Sequence, residues 1–124
     1  LSIEFKATSF VVLYYTLQFM NLSEREALLA RIYKNLEKGG ALLVFEKVLE
    51  ENSSSQEIIS SLYRTYKISK GFTPDEIIAK EESLRGVLKP LTQKENFNLF
   101  KEAGFKDSSL VMKDHHFEGY LLLK

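Results

Sequence analysis

The 124-residue chain carries 17 basic and 17 acidic side chains, so its formal net charge is zero, and it contains no cysteine. That excludes a disulfide framework or a thiolate metal site, and it argues against a protein that holds nucleic acid mainly by neutralising phosphates. Hydrophobic residues at 44% and charged residues at 27% are the proportions of one globular domain. No apolar run approaches the roughly 20 residues of a membrane span, and no signal-peptide pattern is present. The expectation is a soluble, cytoplasmic protein without a membrane or a direct nucleic-acid partner.

The chain starts at Leu1 without a methionine and enters an apolar run almost at once, from Ser9 to Tyr15. This suggests the rear part of something longer. Phe10-Val11-Val12-Leu13-Tyr14-Tyr15 is unbroken and rich in valine and aromatics, which predicts a strand covered on both faces, as in a parallel sheet. Ser23-Glu24-Arg25-Glu26 has the form of a capping box, and Leu28, Leu29, Ile32, Tyr33 and Leu36 recur at helical spacing after it. Gly39-Gly40 is expected to stop that helix, and Ala41–Phe45 to form a second strand. Strand, capped helix and strand make a βαβ unit whose strands should run parallel.

Glu50–Ser55 is polar and serine-rich, so a loop is expected there; Ile58, Ile59, Leu62, Tyr63 and Tyr66 then mark a helix ending near Lys70-Gly71. Thr73-Pro74-Asp75-Glu76 opens another helix, with proline at its first position, and Thr92–Glu95 opens a third that closes at Gly104. The tail, Ser108–Phe117 and Gly119–Leu123, predicts two strands joined by a tight turn. The expected order is β-α-β-α-α-α-β-β, in one partial domain spanning 1–124.

Chemistry-bearing motifs are few. No glycine-rich loop precedes a helix, so a phosphate cradle is not expected. The two histidines, His115 and His116, follow Asp114 directly. Neighbours in a strand face opposite ways, so the expectation is a solvated strand end rather than a catalytic or metal site. Glu81 is peculiar: Ile77, Leu84 and Leu88 lie around it at helical spacing, so it projects near an apolar face. An unpaired carboxylate there is costly, so it should face a cleft or find a cation, for example Arg85 one turn on. Tyr33, Tyr63, Tyr66, Phe72, Phe97, Phe100 and Phe105 are expected mostly in the core.

VVLYYTLQF, SEREALLARIYKNLEKGGALLVFEK, KGFTPDEIIAKEESLRGVL and KEAGFK together resemble the carboxy-S-adenosylmethionine synthases, a branch of the class I S-adenosylmethionine-dependent methyltransferases. The resemblance runs from about Phe10 to the C-terminus. It implies an α/β fold corresponding to the C-terminal half of a Rossmann-like methyltransferase, strands four to seven, with a helical insertion and an antiparallel hairpin. The strands would lie in the order 4-5-7-6, leaving strand four as a bare edge. The Gly-rich cofactor loop and the earlier strands would lie upstream of this chain.

The resemblance further implies a small-molecule substrate, a homodimer, and S-adenosylmethionine or its carboxylated form as cofactor of the whole enzyme; the chain by itself is expected to be inactive and to hold none. The family reaction takes S-adenosylmethionine and prephenate, releases phenylpyruvate and supplies carboxymethyl groups for wobble uridine in tRNA. Two positions depart from the family pattern. Tyr14 stands where the family has an asparagine near the cofactor, and Glu81 stands where an arginine pairs with the cofactor's carboxylate. Tyr63 and Arg64, in the insertion, are candidate substrate-side residues, and no catalytic base or metal ligand is assigned. Two alternatives stay open: an ordinary methyltransferase of unknown acceptor lacking the carboxylate-binding arginine, and an inactive half-domain acting through an interaction surface.

Overall fold

The computed structural model describes residues 8–124. Strand β1 (Thr8–Tyr14) leads through a 3-10 turn (Leu17–Phe19) into helix α1 (Leu22–Asn35) and strand β2 (Leu36–Lys47). Helices α2 (Ser53–Ser69), α3 (Pro74–Leu84) and α4 (Gln93–Glu102) follow, and strands β3 (Asp107–Asp114) and β4 (Phe117–Leu123) close the chain. The sheet order is β1-β2-β4-β3. β1 and β2 are parallel, whereas β4 runs antiparallel to both neighbours. This is the expected 4-5-7-6 arrangement with β1 at one edge.

Local chemistry explains most boundaries. Thr73 and Thr92 cap α3 and α4 in reciprocal boxes with Glu76 and Glu95, as their spacing predicts. The box on α1 lies two residues earlier than expected: Asn21, not Ser23, accepts from the Glu24 N–H, and the Glu24 side chain returns to the Asn21 N–H. α1 also ends before the glycine pair. Asn35 is its last residue, and β2 begins at Leu36. The reason is long-range pairing: Gly39 N–H donates to the Lys124 carbonyl and Lys124 N–H to the Gly40 carbonyl. Lys124 Nζ in addition reaches the Tyr33 and Leu36 carbonyls at 2.6 and 2.7 Å, closing the C-terminal end of α1. α2 starts at Ser53 under the Asn52 side chain, so the expected loop ends three residues early.

The hairpin turn falls at His115-His116 rather than at Glu118. His115 takes the left-handed conformation, with φ of 53°. Gly119 instead sits within β4, where a Cβ would lie 3.0 Å from the Phe45 ring. Its role is close approach, not turning.

The core lies on one face of the sheet. Leu29 and Ile32 of α1, Phe100 of α4, and Leu42, Val44, Tyr120 and Leu122 of the sheet are fully buried together. Tyr120 meets Phe97 and Phe100 edge-on at 5.3 and 5.1 Å between ring centroids. Phe10, Val12 and Tyr14 project from the other face of β1 and are exposed. The two-sided cover expected for this strand is therefore one-sided among the described residues.

Candidate functional site

In open α/β sheets ligands collect beyond the carboxyl ends of the parallel strands. Here those ends are Tyr14 of β1 and Lys47 of β2. Tyr14 is the more open, 70% exposed, and packs against Phe45 at 5.4 Å and Tyr15 at 4.6 Å. Tyr15 takes φ of 53°, unusual for a bulky residue, and its N–H donates to the Phe45 carbonyl at 3.0 Å. The turn stops the strand and aims Tyr15 at Phe117, 5.7 Å away, which in turn meets Tyr63 of α2 at 5.3 Å. Tyr63 and Tyr66 both contact the His115 ring. An aromatic wall thus runs from the end of β1, across the start of β4, to α2.

Beside it lies a cleft of about 390 Å³, floored by Lys47 at the end of β2 and by Val48 and Leu49 after it, and walled by α2, α3 and the segment behind α3. Tyr63 and Lys67 line it from α2, and Lys80, Glu81 and Leu84 from α3. The Lys47 ammonium is pushed below the usual lysine range, first by burial and then by the like charge of Lys67, with Glu81 pulling the other way.

The structure brings Glu81 and Arg64 together. Arg64 Nε donates to Glu81 Oε1 at 2.7 Å and Nη2 to Oε2 at 3.5 Å. Glu81 is half-exposed rather than central on an apolar face, and its partner is Arg64 across the helix pair, not Arg85. α3 ends at Leu84, so Leu88 lies beyond the helix and the apolar stripe expected around Glu81 is cut short. Arg64 holds the Glu81 carboxyl below the ordinary carboxylate range by its hydrogen bond and charge. Tyr14 stands at the far end of the aromatic wall, its ring against Tyr15 and Phe45, whereas Tyr63 meets Phe117. Tyr66 and Phe72 are exposed, so they do not join the core expected of them.

Three groups stand out that residue patterns did not signal. One is Lys47. Another is Glu46, 1% exposed, whose carboxylate accepts from the Leu17 N–H at 3.0 Å. Burial pushes its pKa up to about 7 against the opposing pull of that hydrogen bond and of Arg25. The third is His116, expected in solvent but buried; its Nε2 lies 2.9 Å from Ser60 Oγ and its Nδ1 3.5 Å from Glu50. Burial lowers its pKa, partly opposed by Glu50. His115 stays near the surface and pairs with Asp114 at 2.7 Å. The local pattern gives no sign of this, because the two histidines form the turn itself, where strand alternation does not apply. Among the described residues no cluster of His, Asp or Glu is arranged to hold a metal, and no helix is long and apolar enough to cross a membrane.

The chain can now be set beside known proteins. No protein-family model matches it. It is 40% identical over 121 residues to the carboxy-S-adenosyl-L-methionine synthase of Staphylococcus epidermidis, covering 98% of this chain and 53% of that protein. It is 42% identical over 110 residues to the same-named protein of Campylobacter jejuni, covering 89% and 47%. The chain thus spans about half the length of the curated relatives it matches. Among solved structures it is similar to PigF with SAH, with a TM-score of 0.67 at 16% identity over 98% of this chain and 32% of that one. Human N-acetylserotonin methyltransferase in complex with SAM follows at 0.62 and 19%, covering 94% and 29%. These remote likenesses establish the fold, that of S-adenosylmethionine-dependent methyltransferases. The sequence relatives go further than the fold: over nearly its whole length the chain is similar to the C-terminal half of proteins named carboxy-S-adenosyl-L-methionine synthase.

Proposed function

We propose that the chain forms the substrate-side half of a carboxy-S-adenosylmethionine synthase, an enzyme that uses S-adenosylmethionine and prephenate to serve wobble-uridine modification in tRNA. The observation that carries this is the aromatic wall and cationic cleft at the carboxyl ends of β1 and β2, in a chain 40% identical to a synthase of that name. The same reading carries a homodimer in the cytoplasm.

The residues fit the cofactor. A sulfonium is a cation without hydrogen-bond donors, and aromatic faces are its natural neighbours. Tyr14 is the open aromatic surface at the end of β1, next to Tyr15 and Phe45. S-adenosylmethionine, when bound, supplies an electrophilic carbon on positively charged sulfur. The work of this chain is to orient and to set the field, since among the described residues no side chain is assigned as a general base. Glu81, neutralised by Arg64, neither repels a carboxylate strongly nor attracts a sulfonium strongly. That pairing also favours a second reading, a methyltransferase whose residue 81 no longer selects the carboxylated cofactor.

Native mass spectrometry of the full natural protein as purified tests both. Retention of the carboxylated cofactor supports the synthase; retention of S-adenosylmethionine alone, with no preference on titration, supports the second reading. A protein that retains neither and binds neither would sink the enzymatic proposal and favour an interaction role.

A further inference from the structure

The cleft beside Tyr63 holds an imbalance of charge. Lys47, Lys67, Lys80 and Arg85 line it, and Glu81 is the single acidic residue in the same lining. Glu81 is already engaged through both carboxylate oxygens by Arg64. Among the described residues none of the four cations makes an ion pair. Lys67 lies over the Tyr63 ring at 4.4 Å, whereas Lys47, at 6.0 Å from the Phe117 centroid, is at the outer limit of such contacts.

Lys47 is the odd member. It is half-buried at the end of a central strand, where an ammonium without an ion-pair partner is costly; Lys67 and Arg64 add repulsion, and Glu81 offsets part of it from a distance without pairing. The natural remedy would be Glu81, on the same lining, but Arg64 reaches across from α2 and takes it. Val48, Leu49, Leu84, Leu88 and Pro90 give the cleft an apolar part, beside the polar groups of Gln56 and Tyr63.

We propose that Lys47 is the anion-recognising group of this cleft, that its ligand is a carboxylate on an apolar body, and that the Arg64–Glu81 pair is a positioning device that keeps Lys47 free by holding the lining's one acid away from it. The apolar lining selects the carboxylate over inorganic phosphate, which stays strongly hydrated. The assignment deepens the function proposed above, because this carboxylate is read as belonging to that reaction's substrate; the cation assignment itself stands on the cleft.

The test uses the full natural protein, phenylacetate as the carboxylate probe, and NMR of the Lys47 side chain. Phenylacetate is expected to bind saturably and to return the Lys47 ammonium toward ordinary lysine behaviour. Lys47→Met should weaken it about tenfold, while Lys47→Arg, which keeps the charge, should weaken it about twofold. Arg64→Leu should weaken it nearly as much as Lys47→Met, because Glu81 is then free to pair with Lys47. The double variant Arg64→Leu with Glu81→Leu should recover the affinity to within about twofold, a rescue that a merely structural role for the pair would not give. No phenylacetate binding, or Lys47→Met without effect, would overturn the proposal; so would inorganic phosphate binding better at Lys47. Failure of the rescue would overturn the positioning role. S-adenosylmethionine binding, followed in parallel, separates the two readings: its loss with phenylacetate binding intact fells the proposed function and leaves this inference standing.

Discussion

α1 and α2 are both amphipathic by sequence, yet they meet different fates. α1 buries Arg25, Leu28, Leu29 and Ile32 against the sheet, whereas α2, the longer helix, buries no residue fully. Ile58 and Leu62 of α2 are 60% and 55% exposed. α2 is tied instead by polar and ring contacts: Ser60 to His116, Arg64 to Glu81, Tyr63 to Phe117. One side of the molecule is therefore held by close packing and the other by a few directed contacts. The lesson is where stability and ligand response are separable. Packing tolerates little change, while a helix held by directed contacts can answer to what occupies the cleft.

The largest test of that contrast is in the core. Phe100→Ala, at a fully buried side chain, should cost about 3–5 kcal/mol in urea unfolding, while Ile58→Ala should stay within about 0.5 kcal/mol. An equal cost at both would show that the outer face of α2 is covered in solution.

A pH series sharpens it. Glu46 has a pKa of about 7 in the fold against an ordinary 4.5, so folding favours its protonated form. Its contribution is fully present below the ordinary value and is lost as the pH rises through 7, a change of roughly 3 kcal/mol. Glu46→Gln keeps an oxygen acceptor for the Leu17 N–H. It should flatten the stability profile between those limits and exceed the wild type at pH 8. A profile that keeps its slope would exonerate Glu46.

The smallest effect concerns the start of α1. Asn21→Ala should cost about 1 kcal/mol by removing the cap, and Ser23→Ala only a few tenths. The reverse order would restore the box that the local pattern favoured.

What could be read in advance follows from the range of each interaction. The caps at Thr73 and Thr92 are three-residue signals with nothing competing, and both were legible. Asn21 and Ser23 each have a glutamate three residues on, so two boxes overlap and the local pattern cannot choose between them. Gly39-Gly40 has the composition of a helix stop, but its backbone pairs with Lys124, a partner no local window contains. Gly119 drew the expected turn toward itself because close packing against Phe45 and a tight turn both call for glycine. At the site, Glu81 was singled out for an apolar face that the structure does not give it, while the place of Tyr14 at a strand end was visible. Lys47 was not, because a lone lysine after a strand gains meaning only when the cleft and its neighbours' charges are known.

The contacts of Lys124 with α1 have a consequence for how the end of that helix is held. Its ammonium meets the carbonyls of Tyr33, Lys34 and Leu36 across sequence separations of 91, 90 and 88 residues. A helix is ordinarily finished by residues within a turn of its end. Here part of the finishing comes from the strand paired with β2, so the end of α1 depends on β4 being in place as well as on its own Leu36 N–H bond to Ile32. Cutting these contacts, as by Lys124→Met, would loosen a helix about ninety residues away in sequence.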